Sequence, residues 1–191
     1  MIVKPVLAGA LALALSPLDI DFGPTTFVSH PYVEKLTCEG GSGTAFKIKD
    51  GRWLSVNHVT GLGVCELDGK EINVTHADTY GDFSTFTVDD HRAGGIEVNC
   101  NGFRDGQWYF GVGHGRGYAV PQMKSVRYSL VFTLFGSDRW GILEANRFVP
   151  GMSGGVVLDQ WGRAVGTVNA YGLVQRISFS RQLKDTIICQ S

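Results

Sequence analysis

Proline is scarce in this chain, with 6 residues against 26 glycines. No collagen-like period accompanies the glycines, so they read as many tight turns, as in an all-β chain. There is no long basic run and the formal net charge is −1, so nucleic acid is not an evident partner. No internal repeat or low-complexity stretch interrupts the texture. Strands and helices do not alternate, which disfavours a parallel α/β sheet. The four cysteines contain no C-x-x-C pair, which argues against zinc and leaves no metal site to expect. What is present is 191 residues, 43% of them apolar, with a mean hydropathy of +0.03. That composition is globular rather than disordered. The length suits one large domain or two small subdomains sharing an interface, and buries roughly 70% of the unfolded surface without help from metal or disulfide.

The one sustained apolar run, Val6 to Leu15, is too short for an ordinary transmembrane helix. It follows Lys4 and ends near Ala12-Leu13-Ala14, an A-x-A pattern. Residues 1–14 are therefore a candidate secretory signal peptide, with a mature chain starting at Leu15 and no stable membrane anchor once it is cut. The alternative is a buried N-terminal strand or helix. A genuine signal implies a secreted or periplasmic protein; otherwise a virus-associated or cytoplasmic one is expected. Cys38, Cys65, Cys100 and Cys189 allow three pairings in an oxidising compartment, or they are buried thiols.

From residue 25 on, short β-like runs are broken by glycine turns. Gly43–Ile48 and Trp53–Val56 flank Lys49-Asp50-Gly51-Arg52, a hairpin turn in which Gly51 supplies the positive φ. Further strands are expected over Glu71–Ala77, Ser84–Val88, Trp108–Val112, Tyr118–Val120, Val126–Leu134, Gly141–Glu144, Val156–Leu158, Ala164–Ala170 and Leu173–Ile177, with a turn at Asp159–Arg163. Only Ser180–Ile188 has a helical look, with Ser180 as its N-cap. Such a series points to a barrel or sandwich. The stretch Asn99–Asp105 is the expected boundary between two β units, dividing the chain into 15–105 and 106–191.

Three segments carry chemistry. In Pro150-Gly151-Met152-Ser153-Gly154-Gly155, glycines let the backbone turn sharply around a serine that can be held exposed beside a base. The amides of Gly151 and Ser153 can converge on one point and stabilise an oxyanion; one such donor is worth roughly 3 kcal/mol in a transition state. The plainer reading of that segment is an ordinary glycine-rich hairpin loop. His58 follows the buried run Trp53–Val56 and precedes Gly61-Leu62-Gly63; of five histidines it alone has this strand-end setting upstream of an aspartate and a Gly-x-Ser loop. A lone histidine is more often structural. Asp82 enters the alternating stretch Phe83–Val88, where Phe83, or Phe86 on the opposite face, could cover it. A buried carboxylate needs a partner, and the Nδ1 proton of His58 would serve, leaving Nε2 free as base. Asp78 is the main competitor, with Asp68, Asp89 and Asp90 behind it.

The order His58, Asp82, Ser153 and the segments Gly41-Ser42-Gly43-Thr44-Ala45-Phe46, Ser55-Val56-Asn57-His58-Val59, Gly81-Asp82-Phe83 and Gly151-Met152-Ser153-Gly154-Gly155 resemble the trypsin/chymotrypsin superfamily, with the closest look to its HtrA-like and viral branches. Gly106–Gly113 resembles the strand opening the family's second barrel, and Val165–Ala170 the strand that pairs with substrate, so the resemblance spans about residues 36–178. It implies two antiparallel six-stranded β-barrels with a short C-terminal helix, a serine endopeptidase acting on protein or peptide substrates, and no cofactor. His58, Asp82 and Ser153 would form the triad and the Gly151 and Ser153 amides the oxyanion hole. The substrate pocket would draw on Arg147, Phe148 and Val149 before the loop and Val168, Asn169, Ala170 and Tyr171 after it. Arg147 either favours acidic side chains or faces solvent. Cys38 and Cys65 fall near the family's bridge beside the histidine. Met152 stands where many relatives carry Asn or Asp, and Asn57 where Ala or Asn is usual. With the sequence ending at Ser191, no PDZ module is expected. Two other readings share the fold: a viral or phage processing protease, and a catalytically silent binding module. Oligomeric state is not legible.

Overall fold

The computed structural model describes residues 26–129, 140–145, 148–171 and 177–190. Among the described residues, fourteen strands form two antiparallel sheets. The first contains β2 (Val33–Cys38), β3 (Gly41–Lys47), β4 (Trp53–Ser55), β5 (Cys65–Leu67), β6 (Lys70–Glu71), β7 (Asn73–Asp78) and β8 (Phe83–Thr87), in the order β6-β5-β2-β3-β4-β8-β7. The second contains β1 (Thr26–Phe27), β9 (Trp108–Gly113), β10 (Gln122–Tyr128), β11 (Trp140–Ala145), β12 (Val156–Leu158), β13 (Ala164–Tyr171) and β14 (Ile177–Gln182), in the order β1-β10-β11-β14-β13-β12-β9. Pairing of β9 with β10 closes six of these strands into a barrel, with β1 added outside β10. The first sheet is seven-stranded and ends on β6 and β7, a half-barrel. This is the two-sheet, nearly all-β architecture expected of a double-barrel protease fold.

Side chains alternate between two different cores rather than between core and water. Ala45, Trp53 and Phe86 fill the interior of the first sheet, while their neighbours Phe46 and Leu54, together with Phe83, pack into a seam against Val112, Val156 and Leu158 of the second. Val157 of β12 points the other way, into the second barrel with Tyr109, Val126 and Val165. A strand of period two that is buried on both faces loses its polar alternation, which is why Thr44–Lys47 and all of β12 read as continuous buried runs.

Two disulfides join Cys38 to Cys65 and Cys100 to Cys189. The first links facing residues of β2 and β5. The second ties the crossing between the sheets to the C-terminal end. The expected hairpin at Asp50-Gly51 is present, with Gly51 at φ 91° and the Asp50 carboxylate accepting the Arg52 N–H at 2.9 Å.

Some elements depart from their sequence-based bounds. Tyr118–Val120 is no strand: it follows the 3-10 turn Gly115–Gly117, and the Tyr118 N–H donates back to Gly115 O. The C-terminal helix is a single 3-10 turn, Leu183–Asp185, and Ser180, expected as its N-cap, lies in β14 and donates its hydroxyl to Thr167 O at 2.7 Å. The expected strands over Val126–Leu134 and Leu173–Ile177 fall partly, and the candidate signal peptide wholly, outside the described residues.

Candidate active site

His58 lies in a one-turn helix, α1 (Asn57–Thr60), directly after β4. Its side chain is 47% exposed, so the ring stands at the surface rather than in the core. Asp82 closes the connection from β7 to β8 in the left-handed conformation, at φ 46°. Few residues other than glycine adopt that conformation, and its cost is accepted where the surroundings hold the side chain in one place. Here Oδ2 of Asp82 lies 2.6 Å from Nδ1 of His58, and Oδ1 accepts the backbone N–H of the same residue at 2.8 Å. Both carboxylate oxygens thus hold one histidine, ring and backbone together. Asp78 is placed elsewhere: its Oδ1 accepts the Gly81 N–H at 2.8 Å, a turn-forming bond within the same connection.

Burial alone would push the Asp82 carboxyl up. The hydrogen bonds from the ring and backbone of His58, its charge, and a bond from Asn169 outweigh that, and hold the group below the ordinary carboxylate range. An ionised Asp82 accepts, so Nδ1 carries the proton and Nε2 is left as the imidazole's acceptor.

Ser153 arrives from the second barrel, in the loop before β12. Gly151 has φ 90° and Gly154 φ 84°, both in the left-handed region. A Cβ on Gly154 would also sit 2.0 Å from Thr44 O, so only glycine lets β3 approach the loop this closely. Met152 is fully buried in the second barrel's core, where it anchors the middle of the loop. Carbonyls on this loop are held in turn. Pro150 O accepts from Arg116 N at 2.6 Å, Met152 O from Gly155 N at 2.8 Å, and Ser153 O from Thr44 N at 2.7 Å. In a trans peptide the N–H points away from the C=O, so anchoring the Pro150 and Met152 carbonyls turns the Gly151 and Ser153 N–H groups to the opposite side. Among the described residues neither of these two N–H groups has a hydrogen-bond partner.

Asn169 connects the two halves of the site. Its carbonyl accepts the Ser153 hydroxyl at 3.0 Å, and its side-chain amide donates to Asp82 Oδ2 and to Asp82 O, both at 3.0 Å. Its own Oδ1 is fixed by Thr167 Oγ1 at 2.8 Å and the Arg181 N–H at 2.9 Å. Asn169, expected to line the substrate pocket, also bridges the serine and the carboxylate. Val168, expected beside it in the pocket, is buried in the second barrel; its N–H donates to Gly155 O and its C=O accepts from Gly154, so its backbone supports the serine loop. Phe148 and Val149 are likewise core residues of that barrel. Ala170 sits in β13 opposite Phe179, and Arg147 lies outside the described residues.

No protein-family model and no curated protein matches the sequence. Solved structures do resemble the fold. The Rv3671c protease of M. tuberculosis in its inactive form matches with a TM-score of 0.65 at 20% identity, over 80% of this chain and 84% of the other. The active form of the same protease gives 0.64 at 17% identity, over 80% and 76%. The HtrA-type protease AlgW with a bound tripeptide gives 0.65 at 23% identity, over 81% of this chain but 57% of that one. The structural neighbours are thus HtrA-type and related serine proteases, and this chain has their fold.

Proposed function

We propose that the chain is a serine endopeptidase in which Ser153 is the nucleophile, His58 the general base and acid, and Asp82 the orienting carboxylate. The observation that carries this reading is the double grip of Asp82 on His58, joined through Asn169 to a serine whose loop leaves two N–H groups unpaired. The fold shared with known proteases supports it. In the free protein the Ser153 hydroxyl rests on Asn169 O. Rotation about its Cα–Cβ bond directs it to Nε2 of His58, which takes the proton as Oγ attacks the scissile carbonyl. The Gly151 and Ser153 N–H groups meet the oxyanion of the tetrahedral intermediate. His58 then protonates the leaving amine, and water hydrolyses the acyl-enzyme by the same route in reverse. Asp82 stays ionised throughout, holding the tautomer and stabilising the imidazolium.

The substrate is a protein or peptide, as for AlgW, which is seen with a tripeptide. Two disulfides suit an oxidising compartment, and we place the enzyme outside the cell or in a periplasm. The first test is labelling by a fluorophosphonate probe, comparing the protein with Ser153→Ala. Labelling should vanish in the variant and kcat should fall by at least about 10⁴-fold with the fold intact. A folded wild-type protein that neither labels nor cleaves any peptide would leave a silent binding module as the reading.

A further inference from the structure

Thr44 sits on β3, in the first sheet, and is fully buried. Four hydrogen bonds converge on it. Its N–H donates to Ser153 O at 2.7 Å. Its hydroxyl donates to Gly151 O at 2.8 Å and accepts the His114 N–H, also at 2.8 Å. Its carbonyl accepts the Ser55 hydroxyl at 2.8 Å, which fixes the residue from behind. Thr44 therefore reaches 107 residues along the chain to the loop bearing the nucleophile, from the opposite sheet.

The His114 contact extends this grip. His114 begins the turn through Gly115–Gly117, in which Arg116 adopts the left-handed conformation at φ 54° and ψ 24°. That unusual conformation aims the Arg116 N–H at Pro150 O, at 2.6 Å. Gly151 is consequently held on both sides: the carbonyl before it by Arg116, and its own carbonyl by Thr44. Its φ of 90° lies where glycine moves freely, so without these two bonds the peptide between Pro150 and Gly151 could rotate. Rotation would turn the Gly151 N–H out of the oxyanion site and its neighbour's carbonyl in.

We propose that Thr44 is a positioning residue for the oxyanion hole: its hydroxyl holds the Gly151 carbonyl on one side of Gly151 and, by accepting from His114 N, the turn whose Arg116 N–H holds Pro150 O on the other, so that the Pro150–Gly151 peptide keeps the orientation that presents the Gly151 N–H to the reacting carbonyl. This rests on the serine-protease reading. The hydroxyl touches neither substrate nor the reacting atoms, and acts through Gly151. Because the lock crosses the seam, the first sheet supplies the geometry of a site whose donors all belong to the second.

The test compares Thr44→Val, which keeps the shape but removes donor and acceptor, with Thr44→Ser, which keeps both. Thr44→Val should lower kcat by about 10- to 100-fold with KM changed less than about threefold, since an oxyanion donor contributes mainly in the transition state. Affinity for a peptide aldehyde, which binds as a tetrahedral adduct, should fall with kcat. Affinity for the matching peptide alcohol should not change. Thr44→Ser should keep near wild-type kcat. If Thr44→Val does not fold, Thr44→Cys, with a weaker donor of similar shape, should give an intermediate kcat. Equal loss of aldehyde and alcohol affinity, or unchanged kcat in the folded Val or Cys variant, overturns the positioning role while leaving the protease intact. An inactive, unlabelled wild type overturns the protease reading itself, and the two failures are thereby distinct.

Discussion

Asp82 concentrates several demands on one side chain. Its left-handed backbone, its two bonds to His58 and its bond from Asn169 all depend on a charged carboxylate in one orientation. Asp82→Asn replaces an acceptor by a donor facing Nδ1, so the wrong tautomer is favoured. We expect kcat to fall by about 10⁴-fold. Asp78→Asn retains an amide oxygen that can accept the Gly81 N–H, so steady-state kinetics should show a change of only a few-fold; a reversed ranking would make Asp78 the orienting group. The lowered pKa of Asp82 also sets a sign for stability. A depressed carboxylate stabilises the fold fully above its unfolded value, about 3.9, and loses that contribution as pH falls through the lower folded value. Unfolding midpoints measured below about pH 5 should therefore fall less steeply in Asp82→Asn than in wild type. His58 and Ser153 could be singled out as candidates in the sequence because each sits in a short local pattern of glycines and apolar residues. Asp82 stood out less against Asp78, which ends β7, and only the fold shows which of the two meets α1. Thr44 stood inside a recognised segment with no sign of its role, because its partners are Gly151 and His114, far along the chain.

At the scale of elements, β3, β4, β8, β9 and β13 followed from turn chemistry and buried runs and β12 was read to its exact ends, whereas β2 and β5 were not among the expected strands. The misses have particular causes. Tyr118 and Val120 look strand-like in composition, but the left-handed Arg116 ahead of them breaks the extended path. Ser180 looks like a cap, yet its hydroxyl is taken up inside the sheet by Thr167 O, where tertiary context outweighs a local preference. The two-residue β1 and β6 are too short to show a period. The disulfides add a prediction at this scale. The Cys38–Cys65 bridge closes a sequence separation of 27 and Cys100–Cys189 one of 89. Loop-closure entropy assigns them about 3.6 and about 4.6 kcal/mol respectively. Urea unfolding of the two paired Cys→Ser variants should show the larger loss for Cys100 and Cys189, by about 1 kcal/mol.

For the whole molecule, the seam between the sheets runs through the candidate site, since His58 and Asp82 stand on connections of the first sheet and Ser153 and Asn169 on a loop and a strand of the second. Val33 lies in the seam and Val126 inside the second barrel, both essentially fully buried. Valine-to-alanine changes at either should cost about 2 kcal/mol of stability. At temperatures where both variants are fully folded, Val33→Ala should lower kcat/KM several-fold and Val126→Ala should not. Equal kcat/KM in the two would mean that the seam tolerates a void without disturbing the catalytic register.

The Cys100–Cys189 bridge has one further consequence, for the chain's integrity rather than its stability. Every peptide bond from residue 100 to 189 lies inside a covalent ring, and so does every bond from 38 to 65. A chain with the proposed peptidase activity is exposed to its own copies. A single nick in either ring leaves the pieces tethered, with Ser153 still joined to the half that carries His58. Only in the stretch between residues 65 and 100, outside both rings, does one cut part His58 from Ser153.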